Sequence, residues 1–172
     1  YDLKKDLGKY IFMTLHRPSN VDERETLLEI TDALNEISGD IPIVFPVHPR
    51  TKKMMDVFKI TLAGTVHQLA PLGFKESLYL WKDALCVFTD SGGLQEETTG
   101  LGVPCFTIRQ NTERPITVDE GTNRLIGNSG AGILDAFHGL MRFGGAEGKI
   151  PEKWDGNSSR RIVDILLRKN HG

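Results

Sequence analysis

Short apolar runs alternate with helix-like segments along the 172 residues, and this alternation constrains the fold more than any other feature. Strand-like runs occupy residues 10–15, 43–47, 66–69, 85–89 and 103–108, with a weaker one near Leu125. Because successive residues in most of these runs are apolar, they predict parallel strands covered by helices on both faces. Helices are predicted over residues 22–38, 51–63, 74–82, 93–100, 133–143 and 158–169. The expected fold class is α/β, a doubly wound and mostly parallel Rossmann-like sheet.

Residues 22–38 give the clearest helical pattern, because their apolar side chains fall on one stripe: Leu27, Ile30, Leu34 and Ile37. Asn20 is expected to cap the start of this helix, and Glu23, three residues later, completes a capping-box pattern. Gly39 marks the expected end of the helix.

The domain organisation follows from the same pattern. Residues 1–172 are interpreted as one Rossmann-like domain, in which the Gly-rich stretch 144–156 links the body to a C-terminal helix at 157–169. The chain starts at Tyr1 and a strand-like run follows almost at once, so we expect it to be an excised portion of a larger protein.

Composition excludes several classes of function. The 21 Lys and Arg residues are balanced by 23 Asp and Glu, giving a net charge of −2, so we expect no nucleic-acid partner. No apolar run approaches the ~18–20 residues of a membrane span, so we expect no membrane partner. Cys86 and Cys105 lie in apolar runs and are expected to be buried thiols of a cytoplasmic protein.

Polar residues cluster where four of the predicted strands end, in residues 16–20, 48–50, 90–93 and 109–115. These segments bring two histidines, four arginines and a glycine pair to one edge of the sheet. Ligands of open α/β sheets bind outside the carboxyl ends of the strands. The sequence therefore predicts a binding site at this edge.

The segment Ser91-Gly92-Gly93 carries the most specific signal. It leads from a strand into a helix, so its backbone N–H groups and the helix dipole favour an anion such as phosphate. The alternative is a tight turn without a ligand. Neither the GxGxxG nor the P-loop pattern occurs, which indicates a phosphate site of different construction.

Glu96 and Glu97 follow in the first turns of that helix, where one of them could accept hydrogen bonds from a ribose diol. The alternative is a surface carboxylate stabilised by the helix dipole. Arg17 and Arg114 are candidates for phosphate contacts, unless each is simply solvated.

His16 and His48 are the titratable candidates at the same edge, because imidazoles suit acid–base work or phosphate contact near neutral pH. Either ring could instead bond only to backbone. No third ligand has suitable spacing for a metal site, so none is expected.

Four motifs, taken together, closely resemble the non-hydrolysing UDP-N-acetylglucosamine 2-epimerase family: TLHR at 14–17, PVHP at 46–49, TDSGGLQEE at 89–97 and TERP at 112–115. The likeness covers essentially the whole chain, in order, and corresponds to the C-terminal half of that family. Its members have two Rossmann-like domains in a glycosyltransferase-B-like arrangement. The resemblance therefore implies an N-terminal domain that this sequence lacks.

The resemblance implies interconversion of UDP-GlcNAc and UDP-ManNAc, by elimination of UDP and re-addition with inversion at C2, for cell-surface polysaccharide synthesis. In the implied site His16 is the catalytic candidate and Arg17 faces the cleft. The diphosphate lies on Ser91, Gly92 and Gly93, the ribose on Glu97, and further nucleotide contacts come from Arg114 and His48. The resemblance implies no cofactor or metal and suggests a homodimer, and the fragment alone is expected to be inactive.

Two other functions stay open. The chain could be the donor-binding domain of a UDP-sugar glycosyltransferase, although the TERP segment and the pair His16-Arg17 favour the epimerase. It could also be a UDP-sugar-binding module without catalysis.

Overall fold

The computed structural model describes residues 2–145 and 148–169. Its strands are β1 Ile11–Thr14, β2 Ile43–Pro46, β3 Val66–Leu69, β4 Val87–Thr89, β5 Cys105–Thr107 and β6 Asn123–Leu125. Its helices are α1 Asp2–Leu7, α2 Pro18–Val21, α3 Arg24–Ile37, α4 Pro49–Phe58, α5 Phe74–Trp81, α6 Gly92–Leu101, α7 Ile116–Asp119, α8 Gly130–Phe143 and α9 Ser158–Lys169.

The six strands of the described residues form one sheet in the order β3-β2-β1-β4-β5-β6, and every neighbouring pair is parallel. This confirms the predicted doubly wound α/β sheet, including the weak strand at Leu125. The order reverses between β1 and β4, which pair through Phe12 and Val87. A crevice at the carboxyl end of the sheet is expected at such a reversal.

The core lies on both faces of the sheet. Alternate residues of β1 point to opposite sides, so Ile11 and Met13 pack with α3 and α8, whereas Phe12 packs with Trp81 of α5. All of these side chains are buried. Burial on both faces explains why the strands appear in the sequence as continuous apolar runs.

Several predicted helix boundaries are wrong, and α8, for example, begins at Gly130 rather than at residue 133. Helix α4 ends at Phe58 rather than at residue 63, because Lys59 adopts the left-handed conformation, with φ of 56°, that ends many helices. The Asn20 cap is also wrong: α3 is capped at Glu23 without a side-chain bond, and Asn20 lies in α2. The Asn20 side chain is buried and donates to Asp90, so a tertiary contact replaces the local cap.

Helix α9 follows the Gly-rich stretch at the predicted position. Its apolar side chains are more than half exposed: Ile162, Val163, Ile165, Leu166 and Leu167. Across residues 2–145 and 148–169, no helix has the length and apolar character that crossing a membrane requires.

Candidate functional site

The loops after β1 and β4 meet at the point where the strand order reverses. Asp90, which directly follows β4, accepts hydrogen bonds on Oδ2 from the backbone N–H of His16 at 2.9 Å and of Arg17 at 2.7 Å. The Arg17 side chain also donates from Nε to the Asp90 carbonyl at 3.3 Å. These contacts bring two of the predicted site segments, 16–17 and 90–93, together.

Asp90 is fully buried, and its carboxylate is almost completely occupied. Asn20 donates to Oδ2 at 3.2 Å, and Nδ1 of His16 lies 2.8 Å from Oδ1. Within the described part of the chain, Oδ1 has no other hydrogen-bond partner. Burial acts to raise the pKa of Asp90, but the contacts with His16 and the Arg17 N–H outweigh it and lower that pKa.

Threonine hydroxyls connect the same two strands to the start of α6. Thr14 and Thr89 share a hydrogen bond of 2.7 Å between their hydroxyl oxygens, across β1 and β4. The Thr89 hydroxyl also accepts from the backbone N–H of Ser91 at 2.9 Å. The backbone of the predicted phosphate turn is therefore fixed to the sheet before any ligand binds.

The turn itself has open space above its glycines. Ser91 is the extended N-cap residue of α6, and its side chain makes no cap hydrogen bond. A Cβ at Gly92 would meet nothing within 4 Å, and neither Gly92 nor Gly93 has a positive φ. The backbone conformation therefore does not require glycine at either position. The first N–H groups of α6 lack intrahelical acceptors, as at every helix start, and can donate to an anion here.

Glu97 lies beside this turn. A Cβ at Gly93 would be 3.9 Å from Oε1 of Glu97 and 3.8 Å from the Ser91 hydroxyl, so carboxylate and hydroxyl border the same space. The Glu97 carboxylate has no hydrogen-bond or ion-pair partner among the described residues. Burial and the neighbouring Glu96 carboxylate raise the pKa of Glu97 above its ordinary value.

The TERP segment packs against the outer side of α6. Arg114 pairs with Glu96, with 3.0 Å between Nε and Oε1, and both side chains are partly exposed. The buried Gln95 accepts a hydrogen bond from Thr112 at 2.5 Å, and Thr112 accepts from the Arg114 N–H at 2.9 Å. Arg114 is thus held near the turn, but its guanidinium contacts a carboxylate.

His48 lies next to His16, with 5.5 Å between the ring centroids. Its Nδ1 accepts a hydrogen bond from the Arg50 N–H at 3.1 Å, which caps the start of α4. The sequence leaves open whether a histidine at a strand end bonds to backbone, and His48 does so. A cavity of about 430 Å³ lies beside the loops that follow β1 and β5, and neither histidine lines it. Its lining residues are Arg17, Pro18, Ser19, Asn20, Arg109, Gln110, Asn111 and Asn128.

The structure thus brings His16, His48, Arg17 and the turn at Ser91 to the same crevice. Sequence reasoning missed the way Asn20 and Gln95 fix the surrounding loops, because their partners are distant in the chain. Among the described residues, no group of three or more His, Cys, Asp or Glu side chains is arranged to hold a metal ion.

Comparison with known proteins decides the family. A profile described as UDP-N-acetylglucosamine 2-epimerase matches residues 2–167. This chain belongs to the UDP-N-acetylglucosamine 2-epimerase family. A curated relative of that name from Methanococcus maripaludis is 39% identical over 170 residues, which cover 92% of this chain and 44% of the relative. A UDP-2,3-diacetamido-2,3-dideoxy-D-glucuronate 2-epimerase from Pseudomonas aeruginosa is 40% identical, with 92% and 44% covered.

Solved structures of this epimerase family have the same fold. The Methanocaldococcus jannaschii enzyme in complex with UDP-GlcNAc and UDP superposes with a TM-score of 0.81 at 37% identity, covering 97% of this chain and 48% of that one. The Neisseria meningitidis enzyme bound to UDP-GlcNAc gives 0.84 at 29% identity, with 98% and 47% covered. The chain spans about half the length of the epimerases it matches.

Proposed function

We propose that this chain is the UDP-binding, C-terminal half of a UDP-N-acetylglucosamine 2-epimerase that interconverts UDP-GlcNAc and UDP-ManNAc. In the first step the C2 proton is removed, the bond from C1 to the diphosphate oxygen breaks, and a 2-acetamidoglucal forms. In the second step UDP returns to C1 while C2 gains a proton on the opposite face. The N-terminal domain supplies the carboxylates for the C2 proton, and the described half holds the nucleotide.

The observation that carries this proposal is the open turn of α6 at the point of strand-order reversal. Gly92 and Gly93 present N–H donors to the diphosphate, and glycine leaves room for its oxygens where a side chain would intrude. Ser91 contributes its hydroxyl, because its own N–H already donates to Thr89. Glu97, unpartnered beside the turn, accepts from the ribose hydroxyls. Arg114 reaches phosphate by exchanging its Glu96 partner for the ligand.

The remaining parts of the proposal concern the residues near the sugar of the substrate, the cellular location and the oligomeric state. His16 is the catalytic candidate, while Arg17 and His48 contact the nucleotide sugar in the cleft. A cytoplasmic location agrees with two free, buried cysteines. We include a homodimer and cell-surface polysaccharide synthesis in the proposal because the family resemblance suggests them.

Calorimetry with UDP tests the nucleotide site on this chain, with a matched pair of alanine variants. Gly92→Ala places a methyl group in the proposed phosphate space, and we expect at least about tenfold weaker binding, the effect of losing about 1.4 kcal/mol. Gly100→Ala is the control, because Gly100 lies in the same helix with nothing within 4 Å of its added Cβ. Both variants should gain up to about 1 kcal/mol of stability from helix propensity. Equal UDP affinity in the two variants would reject the turn as the phosphate site.

The complete protein should invert C2 of UDP-GlcNAc, whereas this chain alone should bind UDP weakly and show no turnover. Proton exchange with deuterated water at C2, followed by NMR, measures the reaction. A complete protein that binds UDP but never exchanges the C2 proton would contradict the epimerase assignment and favour a binding module.

A further inference from the structure

The carboxylate of Asp90 holds both the backbone and the ring of the same residue. Its Oδ2 accepts from the His16 N–H at 2.9 Å, while its Oδ1 lies 2.8 Å from Nδ1 of the His16 ring. Two contacts to one residue fix the imidazole relative to its own backbone. A carboxylate that only stabilised the loop would need the backbone contact alone.

The two partners differ in exposure. The side chain of Asp90 is 0% exposed, and that of His16 is 38% exposed. An ionised carboxylate without access to water must be matched by donors, and Oδ1 has no donor within reach among the described residues except Nδ1. The proton of a neutral imidazole is therefore drawn to Nδ1, which leaves Nε2 without one.

We infer that Asp90 is the positioning residue of the epimerase site: it fixes His16 in the Nδ1-protonated tautomer and so leaves Nε2 to meet the substrate. The inference rests on the function proposed above, in which His16 is the catalytic candidate. Neutral His16 then offers a lone pair at Nε2, and its protonated form offers a donor there.

Asp90→Asn reverses this arrangement with little change in shape. Three donors face the Oδ2 position, namely the N–H groups of His16 and Arg17 and the Asn20 amide, so the asparagine oxygen must take that place. The asparagine NH₂ group then faces Nδ1, which must become the acceptor. The proton of the neutral ring moves to Nε2.

The test uses the complete protein and two readouts, the nitrogen-15 spectrum of the His16 imidazole and the kinetics of C2 inversion. We expect an Nδ1–H tautomer in the wild type and an Nε2–H tautomer in Asp90→Asn. We also expect kcat to fall by about 10²–10⁴-fold, the usual range for loss of a general acid or base. The KM for UDP-GlcNAc should change less than about threefold, because Asp90 contacts no part of the ligand in the proposed site.

Ser38→Ala is the control for a general loss of buried polar contacts. Ser38 is buried, bonds the Thr65 hydroxyl at 2.7 Å, and lies at the end of α3 away from the crevice, so kcat should stay at the wild-type value. An Nε2–H tautomer in the wild type, or an unchanged kcat in Asp90→Asn, would overturn the inference. Absence of C2 inversion in the wild type would instead refute the proposed function, and the tautomer spectrum would still report on the Asp90–His16 contact.

Discussion

Asp90 and Glu97 are two carboxylates on either side of the same glycine pair, and the structure treats them in opposite ways. Asp90 is fully buried, accepts from three donors on Oδ2, and has a lowered pKa. Glu97 is half-buried, lacks a hydrogen-bond or ion-pair partner among the described residues, and has a raised pKa. The comparison separates a carboxylate that builds the site from one whose hydrogen-bonding capacity is left for a ligand.

The largest effect that distinguishes the two carboxylates is on folding. Asp90→Ala leaves two loop N–H groups and one N–H of the buried Asn20 amide without an acceptor, while the other Asn20 N–H keeps the Ile108 carbonyl. The free energy of unfolding should therefore fall by about 3–5 kcal/mol, as when one member of a buried pair is removed. Urea denaturation measures it. Asp32→Ala removes an exposed aspartate from α3 and should stay within about 0.5 kcal/mol of the wild type. Similar stability in both variants would show that the Asp90 contacts contribute little.

The next largest effect is on how the free energy of unfolding changes with pH in the acid range. A carboxyl whose pKa is lower in the folded chain adds stability above its ordinary value of 3.8, and this contribution is lost as the pH falls through the lowered pKa. The wild type should therefore lose more stability than Asp90→Asn between pH 5 and the acid transition. Subtracting the two curves cancels the other carboxylates, such as Glu113, whose pKa is lowered to about 2 by Arg109. Parallel curves would contradict the lowered pKa of Asp90.

The smallest effect on stability, and the most specific effect on binding, belongs to Glu97→Gln. Because the raised pKa means that the ionised form is disfavoured in the folded chain, the neutral amide should keep or slightly raise the stability at pH 7. UDP affinity should fall about tenfold, the lower range for losing a hydrogen bond to a charged group. Calorimetry with UDP and with pyrophosphate separates the ribose from the phosphates. Equal losses for both ligands would reject the ribose role.

The sheet could be predicted from the sequence because its evidence is local. Each strand is a short apolar run and each helix has its own stripe, so all six strands were found without knowledge of their neighbours. The errors at helix boundaries arose where backbone conformation or a tertiary contact, rather than the local sequence pattern, determines where the helix begins or ends. The end of α4 depends on the backbone conformation of Lys59, which has no strong sequence signature.

The site could be predicted only in part, for a related reason. The turn at Ser91 and the histidines follow directly from strand ends, so the fold places them in one crevice. The contacts of Asp90 join residues 70 to 74 positions apart, and no periodicity reveals them. Asn20 is an example: its position in the sequence predicted a helix cap, but its side chain makes a buried hydrogen bond to Asp90 instead.

A crystal structure of this chain with UDP shows directly whether the α6 turn holds the diphosphate. We expect diphosphate oxygens within hydrogen-bond distance of the Gly92 and Gly93 N–H groups, and ribose hydroxyls on the Glu97 carboxylate. We also expect little movement of Asp90, because its hydrogen-bond partners are already in place. UDP bound elsewhere, with the α6 turn facing only solvent, would contradict the proposed phosphate site.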